Sequence, residues 1–174
     1  MNGAVENDVF KHPWDAVSLS LVAFAGYPTI ALMLTGDPKY VWFALGVLGA
    51  EAATSLAKDA LRAGGPGLSL VRRPAGAADC DIMNRTGPCA GAAGMPSGHM
   101  STLAFFFAYA WAASLAAGVP AGAFWSCAAL VCALVAASRL AKRCHTPEQV
   151  LAGTALGGAL ALGWKALGAR IGAI

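Results

Sequence analysis

The chain has 174 residues, 57% of them hydrophobic and 12% charged, against roughly 45–50% and 25% for an ordinary soluble domain. Twelve basic and nine acidic side chains are too few to clothe a water-facing surface of this size. The net charge of +3 is too small and too dispersed for a nucleic-acid-binding protein, so a membrane is the expected solvent.

Residues 1–13 are polar and lack the basic, apolar, small-residue pattern of a cleaved signal peptide, so they are expected to stay on the chain. The rest, 14–174, is of a length for one domain. The first apolar stretch runs from Trp14 to Thr35, with Gly26 and Pro28 inside it, both tolerated in a membrane helix. A Gly36-Asp37-Pro38-Lys39 turn precedes a second stretch, Tyr40 to Ala57, whose interior charge is Glu51 and which continues into Lys58, Asp59 and Arg62. Residues 64–95 then become polar and rich in glycine, proline and arginine, too long for a mere connection and therefore expected to hold function. Three more apolar stretches follow, His99–Gly118, Ala121–Ser138 and Val150–Gly168, each near the ~20 residues that cross a bilayer. The expected fold is all-α, an integral membrane helical bundle of about five transmembrane helices with a functional loop between the second and third. Gly153 and Gly157 form a small-xxx-small pair suited to close helix packing. Trp14, Trp42, Trp125 and Trp164 fall near span ends as interfacial anchors would, and mid-span Trp111 is read as packing.

Five spans place residues 1–13, the 64–95 loop and the 139–149 connection on one face. That face holds nine of the twelve Lys and Arg, and also His99 and His145. A topogenic bias explains the basic residues but does not require two histidines, each at the start of a helix. Thr146 and Gln149, with Pro147 at the first helical position, read as a capping box that starts the fifth helix just after His145. Gln149 is placed to accept a hydrogen bond from Nδ1–H of His145 and so leave Nε2 as a free lone pair. Pro96-Ser97-Gly98-His99 starts the third helix, and Gly98 lets its N–H approach a ligand oxygen. An anion between two helix N-termini would meet their N–H groups, a lone-pair nitrogen and the guanidinium groups of Arg73 and Arg139, the set that phosphoryl transfer requires.

Arg73-Pro74, then Pro96-Ser97-Gly98-His99, then Ser138-Arg139 followed by five residues and His145, resemble the three-part signature of the type 2 phosphatidic acid phosphatase superfamily. Its membrane members include lipid phosphate phosphatases, glucose-6-phosphatase and polyisoprenyl diphosphatases. The resemblance covers about residues 51–157. It implies that His145 is the nucleophile, that His99 is the acid and then the base for water, and that Arg73, Arg139, Ser97 and Gly98 cradle the phosphate. It implies no metal or other cofactor, and a catalytic face that is lumenal or extracellular. The chain departs from the signature in two places. The family's lysine, seven residues before Arg-Pro, is here Pro66; Lys58 is taken as its equivalent across an insertion at Gly64-Gly65-Pro66-Gly67, with Arg62 or Arg72 as alternative charges. Gln149 stands where many members have aspartate, although glucose-6-phosphatase and dolichyl diphosphatase resemble this chain there.

The implied activity is a membrane phosphatase acting on a lipid phosphomonoester or diphosphate through a phosphohistidine. The rival reading is a non-catalytic transporter or binder of anionic lipid. Glu51 is expected to pair with Lys58 or Arg62, and His12 to be a juxtamembrane polar residue. Cys127, Cys132 and Cys144 are read as small apolar side chains. Cys80 and Cys89, which flank eight residues, would form a disulfide if their face is lumenal or extracellular.

Overall fold

The computed structural model describes residues 14–64, 69–80 and 87–174. The expectations for the N-terminal segment with His12 and for the insertion at Pro66 fall outside the described residues. Five helices follow one another: α1 (Trp14–Thr35), α2 (Lys39–Ala63), α3 (Gly98–Ala116), α4 (Ala121–Ala141) and α5 (Pro147–Ile171). A short 3₁₀ turn, Ser69–Val71, and two isolated β-bridges, Arg72 with Ala93 and Ala78 with Pro88, shape the loop between α2 and α3.

Among the described residues, α1, α2, α4 and α5 are long and apolar enough to cross a membrane, which fits a multi-pass membrane protein. The 19-residue α3 falls short of that measure because its first turns carry His99, Ser101 and Thr102. It packs against all four other helices, and most extensively against α5.

Glycine sets that closest approach. A Cβ at Gly153 would overlap the Ser97 carbonyl, and one at Gly157 the Ser101 carbonyl. The small-xxx-small pair therefore lets the backbones of α3 and α5 touch, where van der Waals contact substitutes for the hydrophobic drive that lipid does not supply. Further along the bundle the core is aromatic. Phe43 of α2 stacks on Tyr109 of α3 at 4.4 Å between centroids, and Phe24 of α1 meets Phe106 edge-on at 5.2 Å, geometries that the ring quadrupole favours. Trp42 and Trp164 stack on each other at 4.2 Å, with Trp164 Nε1–H donating to the Trp42 carbonyl at 3.0 Å. These two hold α2 to α5 as well as lying near span ends, whereas Trp111 packs on Phe124 as expected.

An ion pair draws the basic face together. Lys142, at the end of α4, reaches Asp15 Oδ1 in the first turn of α1 at 2.7 Å and donates to the Asp79 carbonyl of the loop at 3.0 Å. Glu51 is exposed and, among the described residues, makes no ion pair with Lys58 or Arg62. Those residues lie seven and eleven positions on, whereas side chains meet along a helix at three or four.

Candidate active site at two adjoining helix starts

The site begins with the cap of α5. Thr146 and Gln149 form the full capping box, with Pro147 in the first turn. The Gln149 amide is fixed by its surroundings: its nitrogen lies 2.8 Å from both the Leu70 and the Arg72 carbonyl oxygens, which only accept. Its oxygen therefore faces the other way, 3.1 Å from His145 Nδ1 and 3.3 Å from the Thr146 N–H. An amide oxygen cannot donate, so His145 carries its proton on Nδ1 and its lone pair on Nε2.

This bonding also accounts for glutamine in place of aspartate. A carboxylate can orient the imidazole but has no N–H for the two carbonyls, and those carbonyls hold the segment that leads into Arg73. The Gln149 side chain is wholly buried and all four of its hydrogen-bonding positions are used.

The start of α3 differs. Ser97 is the N-cap residue, yet its side chain makes no capping bond. Its Oγ is buried without a hydrogen-bond partner among the described residues. Its backbone N–H donates to the Gln149 carbonyl at 2.9 Å, which ties the two helix starts together. His99, one residue into α3, presents Nε2 to Arg139 Nη1 at 3.3 Å; a guanidinium only donates, so Nε2 accepts. Arg139, with no exposed surface, also donates from Nη1 to the Cys80 carbonyl at 3.1 Å and from Nε to Ser138 Oγ at 3.3 Å.

Lys58 reaches the same place from α2. Its Nζ lies 3.6 Å from the position a Cβ on Gly98 would take. One turn earlier, Thr54 and Ser101 hydroxyls meet at 2.9 Å, which turns this face of α2 toward α3. Arg73 runs beneath Gly94 beside the Gln149 side chain, and its Nη1 donates to Cys89 Sγ at 3.2 Å. His145, His99, Gln149, Arg73, Ser97, Gly98, Arg139 and Lys58 are thus gathered at one rim.

Burial, with the charge of Arg73 next in weight, pushes the His145 imidazole down to about 3. At neutral pH it is uncharged, with Nε2 available as a nucleophile. Three cations, Arg73, Lys58 and Arg139, act on it electrostatically, so an anion would be drawn to the ring. No three His, Cys, Asp or Glu side chains gather to hold a metal ion among the described residues.

The cysteines correct the sequence reading. The disulfide joins Cys80 to Cys144, not Cys80 to Cys89, and Cys144 is not merely a small apolar side chain. The loop folds back over the α4–α5 connection, so spatial proximity overrides the short sequence spacing. Cys89 is a free thiol that packs against the disulfide. This bridge, and the unsatisfied Ser97 hydroxyl, are features that spacing alone did not disclose.

Residues 39–171 match the family model of the PAP2 superfamily. A search of curated proteins and one of solved structures returned no match.

Proposed function

The chain belongs to the PAP2 superfamily and is a phosphatase, a phosphoric ester hydrolase; from that premise we propose that it hydrolyses a lipid phosphomonoester or diphosphate by double displacement at His145. Nε2 of His145 attacks phosphorus, the bond to the leaving oxygen breaks, and His99 hands that oxygen a proton. Water, deprotonated by His99, then attacks the phosphohistidine and releases inorganic phosphate. Arg73, Arg139, Lys58, the Ser97 hydroxyl and the Gly98 N–H hold the phosphoryl oxygens as charge shifts onto them. When substrate arrives, its oxygens take the Arg139 Nη1 donor that His99 Nε2 otherwise accepts, and the freed Nε2 lone pair takes up a proton from the substrate's P–OH or from solvent, the proton that it then hands to the leaving oxygen.

The observation that carries this reading is the backbone bond from Ser97 N–H to the Gln149 carbonyl at 2.9 Å. It ties the helix start that follows His145 to one whose hydroxyl has no hydrogen-bond partner among the described residues. A lipid substrate suits the depth of the site, with the head at the rim of the bundle and the tail in the bilayer. The Cys80–Cys144 disulfide supports a lumenal or extracellular catalytic face, since such bridges persist in oxidising compartments.

A substrate panel of phosphatidate and polyprenyl diphosphate in chelator tests the proposal. Phosphate release by the wild type and its loss in His145→Ala are expected; full activity of that variant, or lipid flipping without phosphate release, would overturn it.

A further inference from the structure

A cavity lies at the other end of the bundle. Its volume is about 610 Å³, within the ~300–1,000 Å³ range of small-ligand sites. Its wall is built from Tyr27, Phe43, Phe106, Tyr109 and Phe124, contributed by α1 to α4, and Lys39 and Lys165 stand among its lining residues. It extends along α3 from Phe106 to Ala117, whereas His99 sits in the first turn; at 1.5 Å per residue the far end is more than ~20 Å from the catalytic rim. Leu103 and Phe105, almost fully buried, lie on α3 between the histidine and the cavity, and none of the site residues is among the cavity's lining.

The charges at this end are unbalanced. Lys39 is paired with Asp37 at 2.6 Å, but Lys165 has no acidic partner among the described residues. Among the described residues, Asp37 is the single acidic side chain in the turns and helix ends of this rim, against Lys39, Lys165 and Arg170. An aromatic wall with a cation at its edge suits a molecule with a hydrocarbon chain and an anionic head. Of the helices around it, α1, α2, α4 and α5 are apolar enough to span a bilayer, so the molecules at hand are lipids.

We propose that this cavity binds one anionic glycerophospholipid from the leaflet opposite the histidines, an acyl chain along the Phe106–Tyr109 wall and the phosphate at Lys165. The assignment rests on the membrane reading of the bundle and not on hydrolysis at His145. An ammonium on a phosphate oxygen forms a charge-assisted hydrogen bond, and the chain fills space that Phe43 and Phe106 leave apolar.

Native mass spectrometry of the full chain, extracted from vesicles of equal phosphatidylglycerol and phosphatidylcholine, tests it. The wild type is expected to retain one phosphatidylglycerol per chain, with a preference of about fivefold or more. Lys165→Gln should reduce the retained ratio to that of the vesicle. Ala113→Phe, which fills the cavity wall without changing charge, should remove the retained lipid while phosphate release persists. His145→Ala should keep the lipid, which separates failure of this site from failure of the phosphatase reading. Equal retention of the two lipids by the wild type, or an undiminished preference in either cavity variant, would overturn the proposal.

Discussion

The starts of α3 and α5 lie side by side, yet they are finished in opposite ways. At α5 the cap is closed: Thr146 caps the Gln149 N–H, and Gln149 in turn holds Thr146, His145, Leu70 and Arg72. At α3 the cap residue Ser97 makes no side-chain capping bond and its hydroxyl is buried without a partner among the described residues. A closed cap fixes one imidazole in a single tautomer; an open cap leaves donors for something that arrives. On the proposed mechanism, α5 presents the nucleophile and α3 receives the oxyanion.

The comparison breaks most severely if its nucleophile is removed. His145→Ala should lower kcat by about 10⁴-fold or more, as read by phosphate release. Arg139 serves both sides, since it holds His99 and the Cys80 carbonyl. Arg139→Ala should lower kcat by about 10²- to 10³-fold, and also lower the melting temperature, because the carbonyl and the Ser138 hydroxyl lose their donor.

Gln149→Glu tests the closed cap directly. The new carboxyl would face the Leu70 and Arg72 carbonyl oxygens without donors for both. Turnover is expected to fall at least about tenfold and the melting temperature to drop, in line with the ~1–3 kcal/mol cost of each unsatisfied buried group. Ser97→Ala tests the open cap. Turnover should fall by about tenfold and vanadate inhibition weaken, while the melting temperature stays within a degree or so of the wild type, because the hydroxyl makes no hydrogen bond among the described residues.

The smallest expected effect concerns pH. The His145 imidazole is held at about 3 in the folded chain, first by burial and then by Arg73, against ~6.5 when unfolded. The unfolded chain therefore binds the extra proton between those values, and stability falls as pH drops from about 6.5 toward 3. The slope of melting temperature against pH between about 6.5 and 5 should be shallower in His145→Gln; an unchanged slope would mean that the ring is not held neutral.

Much of the bundle is legible in the sequence because its signals are local. Apolar runs of span length gave α1, α2, α4 and α5 to within a few residues, and Thr146, Pro147 and Gln149 placed the start of α5. The histidines stood at helix starts within a signature that the family model matches over residues 39–171. The remainder depends on how the loop folds over the rim. Nothing in the spacing of Cys80, Cys89 and Cys144 says which two meet, and Lys58 and Arg62 lie too far along the helix from Glu51 to pair with it. The grip of Gln149 on Leu70 and Arg72 joins residues 77 to 79 positions apart, beyond the reach of any periodicity. Lys58 was a distant substitute for the motif lysine by sequence, and the turn of α2 at Thr54 brings it to Gly98.

The most direct measurement is acid- and alkali-resolved trapping of the covalent intermediate from ³²P-labelled lipid phosphate, followed by mapping of the labelled peptide. The account predicts an alkali-stable, acid-labile phosphoryl group on His145, absent from His145→Ala and accumulating when His99 is replaced by a residue that cannot activate water. Label on any other residue, or turnover at wild-type rate with position 145 as alanine, would contradict it.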